Sequence, residues 1–130
     1  MTASCVLILG LHLGGNITDG AGMVNVLNQL HCEVQITENC ASACTLLLGV
    51  ADVCVSPDAT LLFHGPVGSS GPLPRRNFDR VSQLMADHYP PALAEWFMRT
   101  GRGTPGDRPL YQISGAQIIT YGWAKDCIHG

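Results

Sequence analysis

The chain has 130 residues, of which 46% are apolar and 13% are charged, and its formal net charge is −3 at neutral pH. This length indicates a single domain, residues 1–130, that can bury a core without cross-links. Seven scattered basic residues on a net acidic chain exclude an extended nucleic-acid face. So few charged residues favour a subunit that buries further surface against copies of itself.

The N-terminal stretch MTASCVLILGLHLGG is apolar and has no basic n-region. We therefore interpret it as a buried strand rather than a signal peptide, and no stretch is long enough to predict a membrane span. The sequence does not determine the cellular compartment, and the cytoplasm is the default interpretation.

The first half of the chain predicts strands alternating with helices. The apolar run Val6–Leu9 predicts a strand covered on both faces. Asp19 is predicted to cap a helix. The apolar positions of that helix follow the i, i+3, i+4, i+7 spacing, and they are Met23, Val26, Leu27 and Leu30. Alternation over residues 33–37 predicts the next strand.

The remaining elements continue this order. A short buried helix is predicted over residues 42–48, followed by strands at 53–55 and 60–63 on either side of a Ser-Pro-Asp turn. After a flexible stretch at 68–74, an amphipathic helix runs up to Pro90-Pro91 and a further helix follows it. A loop at 101–109 leads to a last helix near 114–121 and a closing strand around 123–128. This alternation indicates an α/β fold.

Six cysteines occur, at positions 5, 32, 40, 44, 54 and 127. None forms a Cys-x-x-Cys pair, and the closest pair, Cys40 and Cys44, lacks the two matching histidines of a zinc site. We therefore predict no metal site. Small buried residues or an optional disulfide are the favoured interpretations, since the six are too scattered to form the main scaffold of the fold.

Ser42 is the candidate nucleophile. It lies at a predicted strand-to-helix junction, where the first backbone N–H groups of the helix have no partner and can stabilise an oxyanion. Its neighbours Ala41 and Ala43 are small, so a substrate carbonyl could approach. The alternative is that Ser42 only caps the helix.

His64 is the candidate base. It ends an apolar strand beside Gly-Pro, at a sheet rim, where sites of α/β proteins cluster. Gly14-Gly15, after the first strand, could add a second oxyanion donor, because the turn lacks the Lys-Ser/Thr ending of a phosphate loop. The alternatives are a structural histidine and a simple tight turn. A Ser-Lys dyad is excluded because Lys125 is the one lysine and lies outside these motifs.

These features, in this order, resemble the proteolytic subunit of the caseinolytic (Clp) protease and its ClpP-like relatives in the ClpP/crotonase superfamily. In that family a glycine turn after a strand, an Ala-Ser-x turn opening a buried helix, and a histidine ending a later strand form the site. The matching stretches are LHLGGNITDG, ENCASACTLLLGVADVCVSPDATLLFHGP and ISGAQIITYGWAKDCI. The Cys-x-Ser-x-Cys form is most similar to predicted ClpP-like bacterial proteins outside the housekeeping subunit, some of them in the periplasm.

The resemblance implies a repeated β-β-α spiral core, shortened at the N-terminus, with a helical handle at about 75–102. It implies that Ser42 is the nucleophile, that His64 is the general base, and that the N–H groups of Gly15 and Ala43 form the oxyanion hole. No cofactor is implied. The implied substrate is a peptide or unfolded protein, and the implied assembly is a homo-oligomeric ring, with an ATPase partner left open.

The triad acid is the point of departure from the family. An ungapped alignment of ISGAQIITYG puts Leu110 at the position of the acid. Asp107, three positions earlier in a glycine-proline loop, is the candidate acid, and Asp79 in the handle is a weaker one. His12-Leu13 also replaces the Ser-Pro that precedes the glycines in the family.

The function predicted from the sequence is that of a serine-type endopeptidase with a Ser-His(-Asp) acyl-enzyme mechanism. One alternative is a ClpP-like assembly subunit whose catalysis is impaired, which the missing acid favours. The other is a crotonase-like acyl-CoA enzyme, against which the CASAC turn and the downstream FHGP are protease-like features.

Overall fold

A computed structural model describes residues 5–9, 16–68, 71–106 and 110–128. These residues form seven strands, four α-helices and two 3₁₀ helices. The strands are β1 (Val6–Leu9), β2 (Glu33–Ile36), β3 (Asn39–Ala41), β4 (Asp52–Val55), β5 (Thr60–Phe63), β6 (Tyr111–Ser114) and β7 (Lys125–Asp126). The α-helices are α1 (Ile17–Gln29), α2 (Arg75–His88), α3 (Pro91–Arg99) and α4 (Gly115–Tyr121). The 3₁₀ helices are Ser42–Gly49, here called the Ser42 helix, and Gly101–Gly103.

The strands form two sheets. The first has the order β1-β2-β4-β7 and is parallel throughout. The second has the order β3-β5-β6, in which β3 is parallel to β5 and β6 is antiparallel to it. Parallel neighbours need crossover connections. Helix α1 provides the one between β1 and β2, and the Ser42 helix lies in the connection from β2 to β4 and in that from β3 to β5. The predicted α/β class is confirmed.

The Ser42 helix lies in the core and contacts α1, α2 and strands of both sheets. Six of its eight residues are buried, from Ala43 to Leu48. Burying each leucine side chain contributes about 2 kcal/mol from the hydrophobic effect. This packing fixes the position of the helix, and therefore of Ser42 at its first turn.

The predicted buried face of α1 is wrong, apart from Leu27. The buried residues are Ala21, Val24 and Leu27, and the larger side chains at the other predicted positions are exposed. The Ser42 helix approaches α1 closely, since a Cβ on Gly20 would lie 3.2 Å from the Ala43 carbonyl oxygen. The face of α1 toward the core therefore carries smaller residues. The larger apolar residues Met23, Val26 and Leu30 had indicated a different face.

The predicted cap of α1 is also wrong. Asn16 is the N-cap, and its side chain accepts a hydrogen bond from the backbone N–H of Asp19. Asp19 instead lies in the first turn, where its charge complements the helix dipole. An asparagine three residues earlier thus takes the role that the sequence suggested for the aspartate.

Strand β1 is present at its predicted bounds but is not covered on both faces. Val6 and Ile8 are 56% and 63% exposed. Among the described strands, β1 lies at the edge of its sheet and pairs with β2 alone. An apolar run of four residues cannot distinguish such an edge strand from a central one.

Strands β3 and β6 had no counterpart among the predicted strands. Strand β6 pairs with β5 in the register Phe63↔Tyr111, so it supports the end of β5. The predicted closing strand is reduced to β7, which pairs with β4. The predicted glycine turn at Gly14-Gly15 lies outside the described residues.

The six cysteines form three disulfides, Cys5–Cys32, Cys40–Cys44 and Cys54–Cys127. Both interpretations drawn from the sequence are observed, since the cysteines are disulfide-bonded and Cys32, Cys40, Cys44 and Cys54 are also buried. The first and third bonds tie the first sheet together, since Cys32 directly precedes β2 and Cys54 lies in β4. No cluster of potential metal ligands and no helix long and apolar enough to cross a membrane occurs within the described ranges.

Candidate active site

Ser42 stands at a sharp turn between β3 and the Ser42 helix. Ala41 is extended, with φ −113° and ψ 146°, whereas Ser42 has φ +58°. A residue with a Cβ loses about 1 kcal/mol in this left-handed region. Ala41 takes the N-cap position and no side-chain cap bond is made there, so the cap interpretation of Ser42 is wrong.

The turn is held from within by Thr45. Its hydroxyl donates to the Ser42 carbonyl at 2.6 Å and lies 2.6 Å from the Tyr89 hydroxyl. Because Thr45 has a single hydroxyl proton, Tyr89 donates to Thr45. Tyr89 is buried, and burial raises its pKa well above the ordinary value of 10.0, so it keeps this proton.

His64 follows β5 directly. The strand end is anchored by Phe63, whose ring packs edge-on against Trp96 and Tyr89 at centroid distances of 5.3 and 6.2 Å. From this position Nε2 of His64 lies 2.8 Å from Oγ of Ser42. The structure therefore brings together the two residues that the sequence singled out on different elements.

The second ring nitrogen of His64 determines the direction of that hydrogen bond. Nδ1 lies 2.5 Å from the carbonyl oxygen of Gly65, which can only accept. In the neutral imidazole the proton is therefore on Nδ1, and Nε2 carries the lone pair. Ser42 consequently donates its hydroxyl proton to Nε2, as a nucleophile donates to its base.

No carboxylate among the described residues is hydrogen-bonded to His64. The Asp79 carboxylate is bound instead by Arg102 at 2.9 Å and by Arg75 at 3.2 Å. Asp107, the acid predicted from the sequence, lies outside the described residues.

The chain just before that aspartate lies beside the imidazole. A Cβ placed on Gly106 would lie 3.1 Å from Nδ1 of His64. The Nδ1 edge of the ring is thus covered by the backbone of Gly106 and bonded to the carbonyl of Gly65.

Gly65 is itself held by its surroundings. Its N–H donates to the Thr104 carbonyl at 3.0 Å. Arg102 fixes that loop, because its guanidinium pairs with Asp79, donates to the Met98 carbonyl at 2.9 Å and lies over the Phe78 ring. These contacts fix the carbonyl group that orients His64.

A cavity of about 490 Å³ opens beside His64. Gly65 and Gly106, which both contact the imidazole, form part of its wall. Most of the remaining wall is apolar, and it includes Pro66, Leu73 and Phe78. The cavity is large enough for an apolar side chain of a substrate.

One of the two predicted oxyanion donors is within the described residues. Ala43 follows Ser42 in the first turn of the 3₁₀ helix, where backbone N–H groups have no acceptor within the helix. Gly15, the other predicted donor, lies outside the described residues.

Sequence reasoning missed four contributors to this site: Thr45, Tyr89, Gly65 and Gly106. A hydroxyl three positions after a candidate nucleophile was a signal for Thr45. The other three act through long-range packing or the main chain, which leave no local motif.

The comparisons with known proteins add no relative. No family model matches the chain, and no curated protein matches it significantly.

Proposed function

We propose that this protein is a serine hydrolase, and specifically a serine-type peptidase with a Ser42-His64 dyad. The observation that carries the proposal is the 2.8 Å contact from Nε2 of His64 to a serine hydroxyl presented on a left-handed turn. A serine that serves only the fold has no need of this combination, since neither the turn nor the histidine stabilises the helix start.

The reaction begins with attack of Ser42 Oγ on the substrate carbonyl carbon, while the hydroxyl proton passes to Nε2 of His64. The oxyanion of the tetrahedral intermediate accepts a hydrogen bond from the Ala43 N–H, with Gly15 proposed as the second donor. When the C–N bond breaks, Nε2 returns the proton to the leaving amine. Water then attacks the acyl carbon and gives a proton to Nε2 of His64. As the bond from that carbon to Oγ breaks, Nε2 returns the proton to Ser42 Oγ and the carboxylic acid product leaves.

The main-chain carbonyl of Gly65 orients His64, as the acid does in a catalytic triad. It holds the Nδ1–H tautomer, but it carries no charge to stabilise the imidazolium that forms during attack. We therefore expect the dyad to be slower than a full Ser-His-Asp triad. A carboxylate from Asp107 would add that charge if it reaches His64.

The substrate we propose is a peptide with an apolar side chain at the cleaved carbonyl, which the 490 Å³ cavity beside His64 would hold. The order of the motifs supports a ClpP-like spiral in which α2, α3 and the 3₁₀ turn Gly101–Gly103 form the handle. A homo-oligomeric ring and an ATPase partner belong to the same proposal.

A fluorophosphonate probe tests this proposal, because it reacts with activated serine nucleophiles. Wild type should be labelled at one site, Ser42, identified by mass spectrometry of the digested protein. Ser42→Ala should abolish labelling and His64→Ala should reduce it at least ~100-fold, as expected when a general base is removed. Circular dichroism checks that each variant is folded.

Ser56→Ala is the matched control, since Ser56 lies in the turn between β4 and β5 and should leave labelling unchanged. Folded wild-type protein that is not labelled would contradict the proposal and favour an assembly subunit without catalysis. Acyl-CoA binding measured by calorimetry, with no labelling, would favour a crotonase-like enzyme.

A further inference from the structure

The Cys40–Cys44 disulfide closes a small ring of chain around Ser42. Cys40 is the middle residue of β3 and Cys44 lies in the first turn of the Ser42 helix, so the bond crosses the turn. The two Cα atoms are 5.4 Å apart, and both cysteines are buried, at 0% and 2% exposure. Ser42 is the central residue of the ring.

We propose that Cys40 and Cys44 are positioning residues, whose disulfide holds Ser42 in the left-handed conformation that directs its hydroxyl at His64. This inference rests on the proposed function, because it concerns the same nucleophile. Neither cysteine takes part in the chemistry.

The turn needs such a restraint because its backbone is unfavourable. With φ +58°, Ser42 would relax to the right-handed or extended regions if its neighbours allowed it. On one side, Cys40 is fixed by the pairing of β3 with β5, in the register Cys40↔Leu61. On the other, Cys44 is fixed by burial of the Ser42 helix. The disulfide joins these two supports, so the residue between them cannot rotate freely.

The Thr45 hydroxyl restrains the same turn by a hydrogen bond to the Ser42 carbonyl. That bond fixes the C-terminal peptide of Ser42, and the disulfide fixes the distance between the flanking elements. The two restraints act on different torsions, and both lie within three residues of the nucleophile.

The other two disulfides give a contrast. Their cysteines are 27 and 73 residues apart, against 4 for Cys40–Cys44. Cross-links that close long loops restrict the unfolded chain most, and a four-residue separation restricts it least. The Cys40–Cys44 bond therefore contributes less to global stability by this route than either of the other two, which fits a local role at the turn.

The test compares two pair variants, Cys40→Ala with Cys44→Ala and, as control, Cys54→Ala with Cys127→Ala. The first should lower the fluorophosphonate labelling rate of Ser42 by ~100-fold, as expected when a reacting atom moves by about 1 Å. The control should label within about twofold of wild type under conditions where it is folded, although it loses more thermal stability. Labelling of the folded Cys40/Cys44 variant at the wild-type rate would overturn the inference.

A second pair variant guards against a folding defect. Cys40→Val with Cys44→Ala restores most of the lost core volume without the bond, and it should show the same loss of labelling. If it regains the wild-type rate, packing rather than the disulfide positions Ser42, and the inference fails.

Hydrogen exchange separates this inference from the proposed function. Amides of residues 42–45 should exchange at least tenfold faster in the Cys40/Cys44 variant than in wild type, and should be unchanged in the Cys54/Cys127 variant. This result would stand even if wild type were never labelled, an outcome that contradicts the hydrolase proposal alone. Unchanged exchange at 42–45 would overturn the positioning role whatever the labelling shows.

Discussion

Gly65 has two contacts that a side chain would disturb. A Cβ at this position would lie 2.2 Å from the Arg102 carbonyl oxygen and 2.9 Å from a Phe78 ring carbon. The same residue offers the carbonyl that orients His64. Both the close packing of the backbone and the orientation of the imidazole therefore require that residue 65 has no side chain.

Gly65→Ala should destabilise the protein by about 3 kcal/mol, because the backbone oxygen of Arg102 must move to admit the methyl group. The displaced carbonyl should also slow labelling of Ser42 in the molecules that remain folded. Urea denaturation and the fluorophosphonate rate measure the two effects.

Gly22→Ala in α1 is the matched control. A Cβ there meets no atom within 4 Å, so the substitution should raise stability by about 0.5–1 kcal/mol through the better helix propensity of alanine. A Gly65→Ala protein as stable as wild type would show that the backbone of Arg102 leaves room for a methyl group at position 65.

The buried Tyr89 should make the free energy of unfolding fall at alkaline pH. Its pKa is raised by burial, so the folded protein keeps the phenolic proton at a pH where the unfolded chain has lost it. A raised pKa contributes stability that is complete below the ordinary value of 10.0 and declines as the pH rises above it. The decline due to this group should approach about 1.4 kcal/mol per pH unit.

Tyr89→Phe should remove that alkaline decline and, at neutral pH, cost about 1 kcal/mol because the Thr45 hydroxyl loses its donor. Denaturation curves between pH 7 and about pH 11 measure both effects. An unchanged alkaline decline in Tyr89→Phe would assign it to another group.

At the scale of elements, the helices and strands with a strong local sequence pattern could be predicted, and the features that depend on long-range packing could not. Helices α2 and α3 were predicted because Pro90-Pro91 separates two amphipathic runs, and both start and end close to the expected positions. The buried face of α1 was not predicted correctly. Ala21 and Val24 face the core because the Ser42 helix packs closely against α1. Strand β6 depends on its pairing with β5, which no local pattern records.

The correction at the start of α1 is testable. Asn16→Ala should destabilise the protein by about 1 kcal/mol, because the backbone N–H of Asp19 loses its acceptor. Asp19→Ala should cost less, about 0.5 kcal/mol, since it removes only a favourable charge near the helix dipole. Thermal denaturation of the two variants ranks them, and the reverse order would restore Asp19 as the cap.

At the scale of the whole molecule, two of the three disulfides link parts of the chain that are 27 and 73 residues apart. Such bonds persist in oxidising compartments, so their presence favours an oxidising environment over the cytoplasmic default. Protein folded under oxidising conditions should be about 6 Da lighter by intact mass than its fully reduced form, since each bond removes two hydrogens. An unchanged mass would contradict the pairing.

The same bonds should differ in their contribution to stability. Replacing Cys54 and Cys127 by alanine should cost about 4 kcal/mol, as expected for a separation of 73 residues, and replacing Cys40 and Cys44 about 2 kcal/mol for a separation of 4. Guanidinium denaturation of the two pair variants measures the difference. Equal losses would contradict an entropic origin.

The candidate site could be predicted in part. Ser42 and His64 were identified because each ends or begins an element and because their order resembles a known arrangement. The group that binds Nδ1 of His64 could not be predicted, because it is the main-chain carbonyl of Gly65 and every residue has such a carbonyl. The homo-oligomeric ring stays a prediction, and light scattering of the purified protein would measure it.

The uncharged partner of His64 has a consequence for how this site would respond to acid and to mutagenesis. A carboxylate can take up a proton and release the imidazole, whereas the Gly65 carbonyl stays neutral at every pH and keeps hold of it. This carbonyl also belongs to the main chain and not to an acidic side chain, so a scan that replaces each acidic residue in the described segments in turn would remove no group that is hydrogen-bonded to His64. A scan that finds no sensitive carboxylate in those segments would then be the expected behaviour of this site rather than a sign of damage.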